Sequence, residues 1–517
     1  MSAFRFPPPR LRQAPRSSYR VAVLGSVLAI ALACSESDHA PSPTEPRLAK
    51  GGAAAPLTVT PTSLAFVVPP TTPATITAQV QFVGPITATT SSAACATASP
   101  QSVPAAKPPG SSFYVATFTV TPVGPGSCTI TLTDKHGDQA VVQVDVQQKV
   151  VVIRQETIAP GYAHVCGIAT GGAAFCWGAN DDNELGNNTF VSTTAPTAVA
   201  GGLTFTSVTS GTRHSCGLTA DGTAYCWGYI YDGALGIEIP PGPSLTSNPA
   251  EVGKGAMRFA TISAGGLHTC GMTLDGAAYC WGDNAYGELG AGTNPPLSSL
   301  GPVVAVTTPP FGFASIVAGE RTTCALTSFG KAYCWGYNFF GQLGDGTQAT
   351  SFIPVAVGGN LTFASISPGG NHTCGLTTSG AAYCWGANGV GQLGDGTTTQ
   401  HVLPTAVSGG LVFAHISAGS NHTCAYTATG DAYCWGGNPS GELGDGTTTQ
   451  RLVPTAVSAG GQQFATVRGA AGFTCGVTTA GAAQCWGSNF FGMLGDGTTI
   501  SRALPTAVSG GLTFATP

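Results

Sequence analysis

The sequence predicts an all-β protein, in which a small β-sandwich precedes a seven-bladed β-propeller. Three observations lead to this prediction. One motif of about 50 residues occurs seven times, charged residues make up 8% of the 517 residues, and 73 residues are glycine. Such a composition cannot supply the charged faces of many surface helices, whereas it suits short strands joined by tight turns. After residue 50 we find no amphipathic helical pattern.

Each copy of the motif contains two cysteines ten positions apart, and Trp-Gly follows the second one. The first cysteines of successive copies are 50, 54, 54, 50, 50 and 51 residues apart. A fixed period of this length indicates a repeat architecture. All seven tryptophans of the chain occupy the same repeat position, and we assign them to packing within the blades: Trp177, Trp227, Trp281, Trp335, Trp385, Trp435 and Trp486.

A single copy has the pattern of four short strands. The copy at 371–397, NHTCGLTTSGAAYCWGANGVGQLGDGT, contains two strand-like runs around a three-residue loop that ends in Gly380. This is a hairpin signal. The run LTFASIS precedes the hairpin, and a PTAV run follows the glycine-rich tail. Because a propeller blade has four strands, we assign residues 150–517 to seven blades.

The hairpin sets its two cysteines opposite each other on antiparallel strands. Opposed Cα atoms in such a pair can approach to about 4.5 Å, which is within disulfide range. Zinc binding is the alternative. However, two cysteines ten positions apart, without a second pair of ligands to complete the site, do not match zinc-ligand spacing. We predict eight disulfides: Cys95–Cys128, Cys166–Cys176, Cys216–Cys226, Cys270–Cys280, Cys324–Cys334, Cys374–Cys384, Cys424–Cys434 and Cys475–Cys485.

Cysteine pairing also indicates the compartment. The eight predicted pairs use all but one of the 17 cysteines and leave Cys34. Regular pairing of this kind indicates oxidising surroundings. Residues 1–33 have a basic lead and a short apolar core, VAVLGSVLAIALA, as a signal peptide does.

The junction at Cys34 resembles a bacterial lipoprotein signal, in which the cysteine becomes the lipidated first residue. The sequence departs from the commonest pattern, because Ala31 stands where leucine is usual. An ordinary secretory signal is the alternative. Residues 34–56 are then a polar tether. We expect a cell-envelope protein, anchored by lipid only, with Ser35 favouring the outer membrane, or an extracellular one.

Residues 57–148 differ from the repeats. They contain short alternating β-branched runs, such as ATITAQVQF and QAVVQVDVQ, separated by proline and glycine turns. The pattern predicts the small β-sandwich, and it resembles bacterial immunoglobulin-like domains, which act as spacers on surface proteins.

The complete repeat, with the consensus G-x-x-H-[ST]-C-x-L-T-x-x-G-x-x-Y-x-W-G-x-N-x-x-G-x-L-G-x-G, resembles that of the regulator of chromosome condensation family. The resemblance covers residues 150–517 and implies a seven-bladed β-propeller. The cysteine pair is not part of the general family pattern. A nuclear member promotes nucleotide exchange on a small GTPase, an activity that we do not transfer to a chain expected outside the cytosol.

Two segments could close the ring. The chain ends in GGLTFATP, which copies the strand that opens later repeats, and VVVIRQETIAPG precedes the first hairpin. We expect one of them to pair into the blade formed at the other end of the chain, and the sequence leaves open which one.

Five histidines share the position two residues before the first cysteine of their repeats. Repeats four and seven have Thr322 and Phe473 there. Equivalent residues on separate blades lie too far apart to share a metal ion, so we interpret the histidines as hydrogen-bonding strand residues. They are His164, His214, His268, His372 and His422.

An aspartate recurs in the GDGT tail of the last four repeats. The first three repeats have Asn187, Ile237 and Ala291 there, and calcium loops need several carboxylates at alternating positions. We therefore interpret Asp345, Asp395, Asp445 and Asp496 as turn-stabilising residues. The sequence predicts no metal and no other cofactor.

The most variable positions follow the Asn after Trp-Gly and carry aromatic residues. Exposed aromatic side chains on one face of a ring indicate a binding surface, although the rings could instead fold between blades. Long insertions in repeats two and three, near 237–255 and 293–312, favour the same face. The candidate partner face comprises Tyr229, Tyr231, Tyr286, Phe339, Phe340, Phe490 and Phe491.

The function predicted from these features is binding of a protein or a glycan by a monomer. Within the family, some secreted propellers inhibit β-lactamases, and the resemblance implies such an inhibitor as one specific version. No catalytic constellation recurs, so we expect no enzyme; a lyase or hydrolase with an axial site and a structural envelope protein are the alternatives. Residues 151–517 hold 9 Lys and Arg against 18 Asp and Glu, which disfavours nucleic acid.

The lipoprotein interpretation predicts a mature chain that begins at a lipidated Cys34. In Cys34→Ser the protein should lose the acyl mass and move from the membrane fraction to the soluble fraction, because the protein would have no acyl chain to bury in the bilayer. Intact-mass spectrometry and fractionation would check this. Equal membrane association of both proteins would contradict it.

Overall fold

We describe a computed structural model of the chain. It describes residues 58–60, 63–68, 74–80, 85–91, 96–106, 108, 114–122, 126–148, 156–230, 232–237, 248–255, 257–292, 304–306 and 312–516. The signal, Cys34 and the tether lie outside these residues. Within them the chain forms strands and one short 3₁₀ helix, Val252–Gly255. No helix in the described part has the length and hydropathy of a membrane span.

The first nine strands form two sheets. Their orders are β1-β3-β7-β5 and β2-β9-β8-β4-β6. The strands are β1 (Thr58–Thr60), β2 (Ser63–Val68), β3 (Ala74–Val80), β4 (Pro85–Thr90), β5 (Ala96–Ser99), β6 (Ser102–Pro104), β7 (Tyr114–Pro122), β8 (Gly126–Thr133) and β9 (Gln139–Gln148).

Alternate residues of these strands are buried, as in β4, and side chains from both sheets form one apolar cluster that includes Phe118 and Ile130. Such a shared core is what a sandwich requires. Cys128 is buried and disulfide-bonded, whereas Cys95 lies outside the described residues. The immunoglobulin-like assignment and the domain boundaries stay predictions.

The remaining 28 strands form seven antiparallel sheets of four strands each. The first three blades contain β10 (Ile158–Pro160), β11 (His164–Ile168), β12 (Ala174–Gly178) and β13 (Thr193–Ala198), then β14 (Ser207–Ser210), β15 (His214–Leu218), β16 (Ala224–Gly228) and β17 (Ala250–Glu251), then β18 (Phe259–Ala264), β19 (His268–Thr273), β20 (Ala278–Gly282) and β21 (Val304–Ala305).

The other four blades repeat this order from the axis outwards. They contain β22 (Ser315–Ala318), β23 (Thr322–Leu326), β24 (Ala332–Gly336) and β25 (Ser351–Ala356); β26 (Phe363–Pro368), β27 (His372–Thr377), β28 (Ala382–Gly386) and β29 (His401–Ala406); β30 (His415–Ala418), β31 (His422–Tyr426), β32 (Ala432–Gly436) and β33 (Arg451–Ala456); and β34 (Phe464–Gly469), β35 (Phe473–Thr478), β36 (Ala483–Gly487) and β37 (Arg502–Ala507).

The two middle strands of each blade place the cysteines in register. Cys374 and Cys384 are opposite each other in the ladder, and they are bonded at a Cα–Cα distance of 4.1 Å. All seven repeat pairs are bonded in this way, at the same Cα–Cα distance and without exposure to solvent.

Each tryptophan is fully buried and faces the preceding blade. Trp385 Nε1 donates to the carbonyl oxygen of Gln342 at 2.9 Å, and Trp177 closes the ring by donating to that of Met493 at 2.9 Å. Gly344 has a φ of +71°, and a Cβ there would lie 2.5 Å from Trp385 Nε1. The glycine is therefore required where the indole meets the loop of the preceding blade.

The C-terminal segment completes the first blade. Ala515 N donates to the carbonyl oxygen of Ile168, and Phe514 packs its ring 6.0 Å from that of Trp177. In blade 6, Phe413 takes the equivalent place beside Trp435, with ring centroids 6.0 Å apart. Of the two segments that could close the ring, the C-terminal one therefore pairs into the blade at the other end of the chain.

The outermost strands leave their edges exposed to solvent. Five of them contain a proline, which has no N–H to donate: Pro196, Pro354, Pro404, Pro454 and Pro505. Proline on an edge strand discourages pairing with a second sheet. The rim of the ring is thus a poor template for edge-to-edge association.

The closure predicts a stability cost for Phe514→Ala. The Phe514 side chain is 1% exposed, so its removal should cost about 3–5 kcal/mol of unfolding free energy. Urea unfolding would measure this, with Phe413→Ala in an interior blade as the matched variant. A loss below about 1 kcal/mol for Phe514→Ala alone would mean that the C-terminal segment does not hold the ring closed.

Candidate interaction surface

The loops that follow Trp-Gly all lie on one side of the ring, because equivalent strands run in the same direction in every blade. We call this side the loop face, and the opposite side, which carries the hairpin turns between the two middle strands, the turn face. The inner turns near residues 161, 211, 265, 319, 369, 419 and 470 open the axial channel on the loop face.

A buried asparagine holds the loop in shape in six of the seven blades, and blade 2 has Ile230 at this position. Asn388 Oδ1 accepts a hydrogen bond from Leu393 N at 3.0 Å, and its Nδ2 donates to the carbonyl oxygens of Thr397 and Thr399 at 3.1 and 2.9 Å. Asn180, Asn338, Asn438 and Asn489 make the equivalent bonds. The two residues after each asparagine are therefore presented by a rigid frame.

The tail aspartates stabilise the next turn. Asp395 Oδ1 accepts from the N–H and the hydroxyl of Thr397, both at 2.9 Å. Burial, the largest single effect, would raise the pKa of Asp395, but the hydrogen bonds from Thr397 and Asn388 and the nearby His401 together outweigh it, and the pKa is lowered. In blade 1, Asn187 accepts the same two bonds from Thr189. The contacts are those of a turn.

Four aromatic rings from blades 3 and 4 form a continuous cluster on the loop face. Tyr286 packs edge-on against Tyr337 at 4.9 Å between ring centroids, and Tyr337 stacks on Phe339 at 6.4 Å. Phe340 lies 5.5 Å from Phe339, which is 65% exposed. The Arg321 guanidinium lies over the Tyr286 ring at 5.6 Å. The rings support one another without leaving the surface, and we call them the aromatic cluster.

The other predicted face residues lie elsewhere on the loop face. Phe490 and Phe491 in blade 7 are 75% and 49% exposed. Tyr229 in blade 2 is half-buried under the Arg213 guanidinium, 3.9 Å from its centroid. Tyr231 lies outside the described residues. Tyr337 was missed by the sequence prediction, although it directly follows Trp-Gly as Tyr229 does.

Several acidic side chains lie in the loops of blades 1 to 4. They are Asp181, Asp182, Asp232, Asp283 and Glu320. Arg213 is already paired with Asp182 at 2.6 Å. Burial and the nearby charge of Asp283 raise the pKa of Asp232. The corresponding loops of blades 5 and 6 read ANGVGQ and GNPSGE. At these loop positions acidic charge is therefore concentrated in blades 1 to 4, whereas exposed aromatic side chains also occur in blade 7.

The repeated histidines connect neighbouring blades. His372 Nε2 lies 2.8 Å from Thr423 Oγ1, and that hydroxyl donates its hydrogen to the carbonyl oxygen of Gln392 at 2.8 Å. Because the hydroxyl has a single hydrogen, His372 must donate from Nε2. The other four histidines meet a serine or threonine of the next blade at 2.7–2.9 Å.

Burial keeps these histidines neutral. It lowers the pKa of His372 to about 3 and that of His422 to about 4. At the seam between blades 7 and 1, Phe473 takes the histidine position and Val165 the hydroxyl position, and both belong to one apolar cluster. Loss of the donor is thus matched by loss of its acceptor. The residues in the described part offer no group of ligands that could hold a metal ion.

The sequence prediction missed three buried glutamates at the blade interfaces: Glu184, Glu288 and Glu442. Glu288 is 1% exposed, and its Oε2 accepts from Tyr286 N at 2.8 Å while Oε1 has no partner in the described part. Burial raises the pKa of Glu288 to about 7, and it does the same for Glu184. Blades 4 and 5 carry Gln342 and Gln392 at this position. The sequence signal that could have identified this position is the occurrence of either Glu or Gln directly before Leu-Gly in five of the repeats.

The closed ring and its one-sided variable loops define a β-propeller repeat protein. The chain belongs to the RCC1-repeat family: residues 243–514 match the RCC1-like domain, and residues 171–218 and 205–233 match the regulator of chromosome condensation (RCC1) repeat. The predicted family and the seven-bladed fold are thereby confirmed.

Similar proteins include one from a plant and one from human. The Ultraviolet-B receptor UVR8 of Arabidopsis thaliana is 29% identical over 207 residues, which are 40% of this chain and 46% of that protein. The chain thus spans about half the length of the curated relatives it matches. Human WBSCR16 superposes with a TM-score of 0.60 at 20% identity, over 66% of this chain and 95% of that one.

Yeast RCC1 (Prp20), solved bound to Kap60, superposes with a TM-score of 0.58 at 20% identity, over 69% of this chain and 88% of that chain. At such identities the likeness of the two solved structures establishes the fold alone.

The buried glutamate predicts a pH-dependent effect of Glu288→Gln. The folded state raises the pKa of Glu288 from 4.5 to about 7, so the stabilising contribution of its bound proton is complete below pH 4.5 and is lost as the pH rises through 7. The free energy of unfolding of the variant should therefore exceed that of the parent by about 1–3 kcal/mol at pH 8 and by almost nothing at pH 5. Thermal unfolding at both pH values measures this. An equal effect at both would refute the buried-charge explanation.

Proposed function

We propose that the chain is a binding module of the cell envelope, anchored through Cys34 or secreted, whose partner is a protein that docks on the loop face of blades 1 to 4. The observation that supports this most directly is the aromatic cluster, in which Phe339 stays 65% exposed although rings pack around it. A solvent-exposed aromatic group held rigidly is the usual centre of a protein interface.

Hydrogen bonds hold the loop backbone beneath these rings. Phe340 N donates to Gln342 Oε1 at 3.0 Å, and Leu343 N donates to Asn338 Oδ1 at 2.9 Å, so the backbone beneath the rings is held in place before any partner arrives. A preformed surface loses little conformational entropy on binding. This favours a partner with a complementary shape.

The acidic side chains in the loops of blades 1 to 4 favour a partner with basic side chains. Asp181 is exposed, and Asp232 and Asp283 lie close enough for the charge of one to raise the pKa of the other. Arg213 is already paired with Asp182. Complementary charge would speed association and reject acidic competitors.

The fold supports protein binding in general terms. RCC1-like propellers serve as interaction modules, and the yeast relative was solved in a complex with Kap60. The extracytoplasmic location is supported by the seven disulfides, which persist in an oxidising compartment. Nucleotide exchange is not proposed, because this location separates the chain from GTP.

The test uses the mature chain as bait for envelope proteins, with chemical cross-linking and mass spectrometry. Tyr286→Ser combined with Phe339→Ser should reduce recovery of the captured partner at least tenfold, because it removes the centre of the apolar contact. Cross-links should fall in the loops of blades 1 to 4.

Val412→Thr is the matched control. Val412 is an exposed apolar residue of the turn face, 63% exposed, and Thr362 already occupies its position in blade 5. Capture should survive this substitution. If the double variant retained capture, or if cross-links mapped to the turn face, the proposed surface would be wrong; capture of a polysaccharide alone would replace the protein partner with a glycan.

A further inference from the structure

A second candidate site lies inside the ring, at the turn-face end of the axial channel. The innermost strands of blades 3 to 7 and the hairpin turn of blade 4 enclose a cavity of about 290 Å³. Small-molecule sites are typically about 300–1,000 Å³, so this cavity has the volume of a small ligand site. It is separate from the loop face and does not depend on the function proposed for that face.

The wall of this cavity carries an unusual concentration of unpaired polar atoms. Thr261 Oγ1, Ser328 Oγ, Ser365 Oγ and Arg468 Nε are buried and have no hydrogen-bond partner in the described part of the chain. Buried polar atoms in folded proteins are nearly all paired, and each exception calls for an explanation. Four such atoms in the lining of one cavity suggest groups that a ligand satisfies.

Neighbouring hydroxyls on the same strands have a structural role that the unpaired ones lack. Ser263 Oγ accepts from Ala318 N at 3.0 Å, and Ser367 Oγ accepts from Ala418 N at 3.0 Å. These bonds join the innermost strands of successive blades. Thr261 and Ser365 lie two positions earlier on the same strands and make no such bond. Their hydroxyl groups are therefore not required to hold the ring together.

The charged groups of the cavity neutralise each other. Arg468 Nη2 lies 2.8 Å from Glu156 Oε1, and both side chains line the cavity. A free anion would have to compete with the Glu156 carboxylate for the guanidinium. The pair still offers an N–H donor at Nε and a carboxylate acceptor, side by side.

The combination of groups favours a neutral ligand with several hydroxyls. A serine or threonine hydroxyl can donate and accept, as a sugar hydroxyl can, so the two complement each other in either direction. Phe329 and Ile366 supply apolar surface in the same cavity, suited to the C–H face of a sugar ring. We propose that the turn-face cavity binds a single sugar ring through Thr261, Ser328, Ser365 and the Arg468–Glu156 pair.

Saturation-transfer NMR on the full chain tests the proposal, with glucose, galactose and N-acetylglucosamine as separate probes. At least one of them should receive saturation from the protein. Thr261→Val combined with Ser365→Ala should weaken its affinity about tenfold, because two hydrogen bonds to the ligand are lost. The double variant should keep the parental melting temperature, because no hydrogen bond within the described part is removed.

Two controls define the outcome. Ser420→Ala changes a hydroxyl at the opposite mouth of the channel and should leave sugar binding unchanged. Inorganic phosphate is the anionic probe, and it should not displace any of the three sugars. The proposal is overturned if none of the three sugars binds, if the double variant binds as tightly as the parent, or if phosphate displaces the sugar.

Discussion

The structure depends on the contact between each blade and the next. A four-stranded blade is too small to bury its own tryptophan, and in six blades the indole N–H instead bonds to a carbonyl oxygen of the preceding blade. Five histidine–hydroxyl bonds add a second connection between neighbours. No blade is complete without its neighbour, so only a closed ring satisfies all seven, and Phe514 provides the last contact.

Closure also explains how the chain can vary its surface. In blade 5, for example, the asparagine, the glycines and the tail aspartate fix the backbone of the loop, and the disulfide fixes the hairpin beneath it. The two positions after the asparagine carry none of these contacts, so they can be aromatic in blade 4 and small in blade 6. Residues at the contact between neighbouring blades cannot vary independently in this way, because Phe473 is accommodated only with Val165 opposite it.

The repeat made most of the fold predictable. Seven evenly spaced copies define seven blades, and opposed cysteines in a hairpin define the bonded pairs, because both follow from local spacing. The candidate surface was only partly predictable. Six of its seven residues are described, all at exposed or half-buried loop positions. The packing of Tyr337 against Tyr286 joins two blades, however, and no local pattern shows which neighbouring rings touch.

The amino-acid sequence by itself determined the number of blades, the cysteine partners and the turns, because each depends on residues within one repeat. The tertiary structure decided which terminal segment completes the first blade, which glutamates carry a raised pKa, and where unpaired hydroxyls gather along the axis. These features arise between residues of different repeats. Burial and contact across blades exist only once the ring has closed.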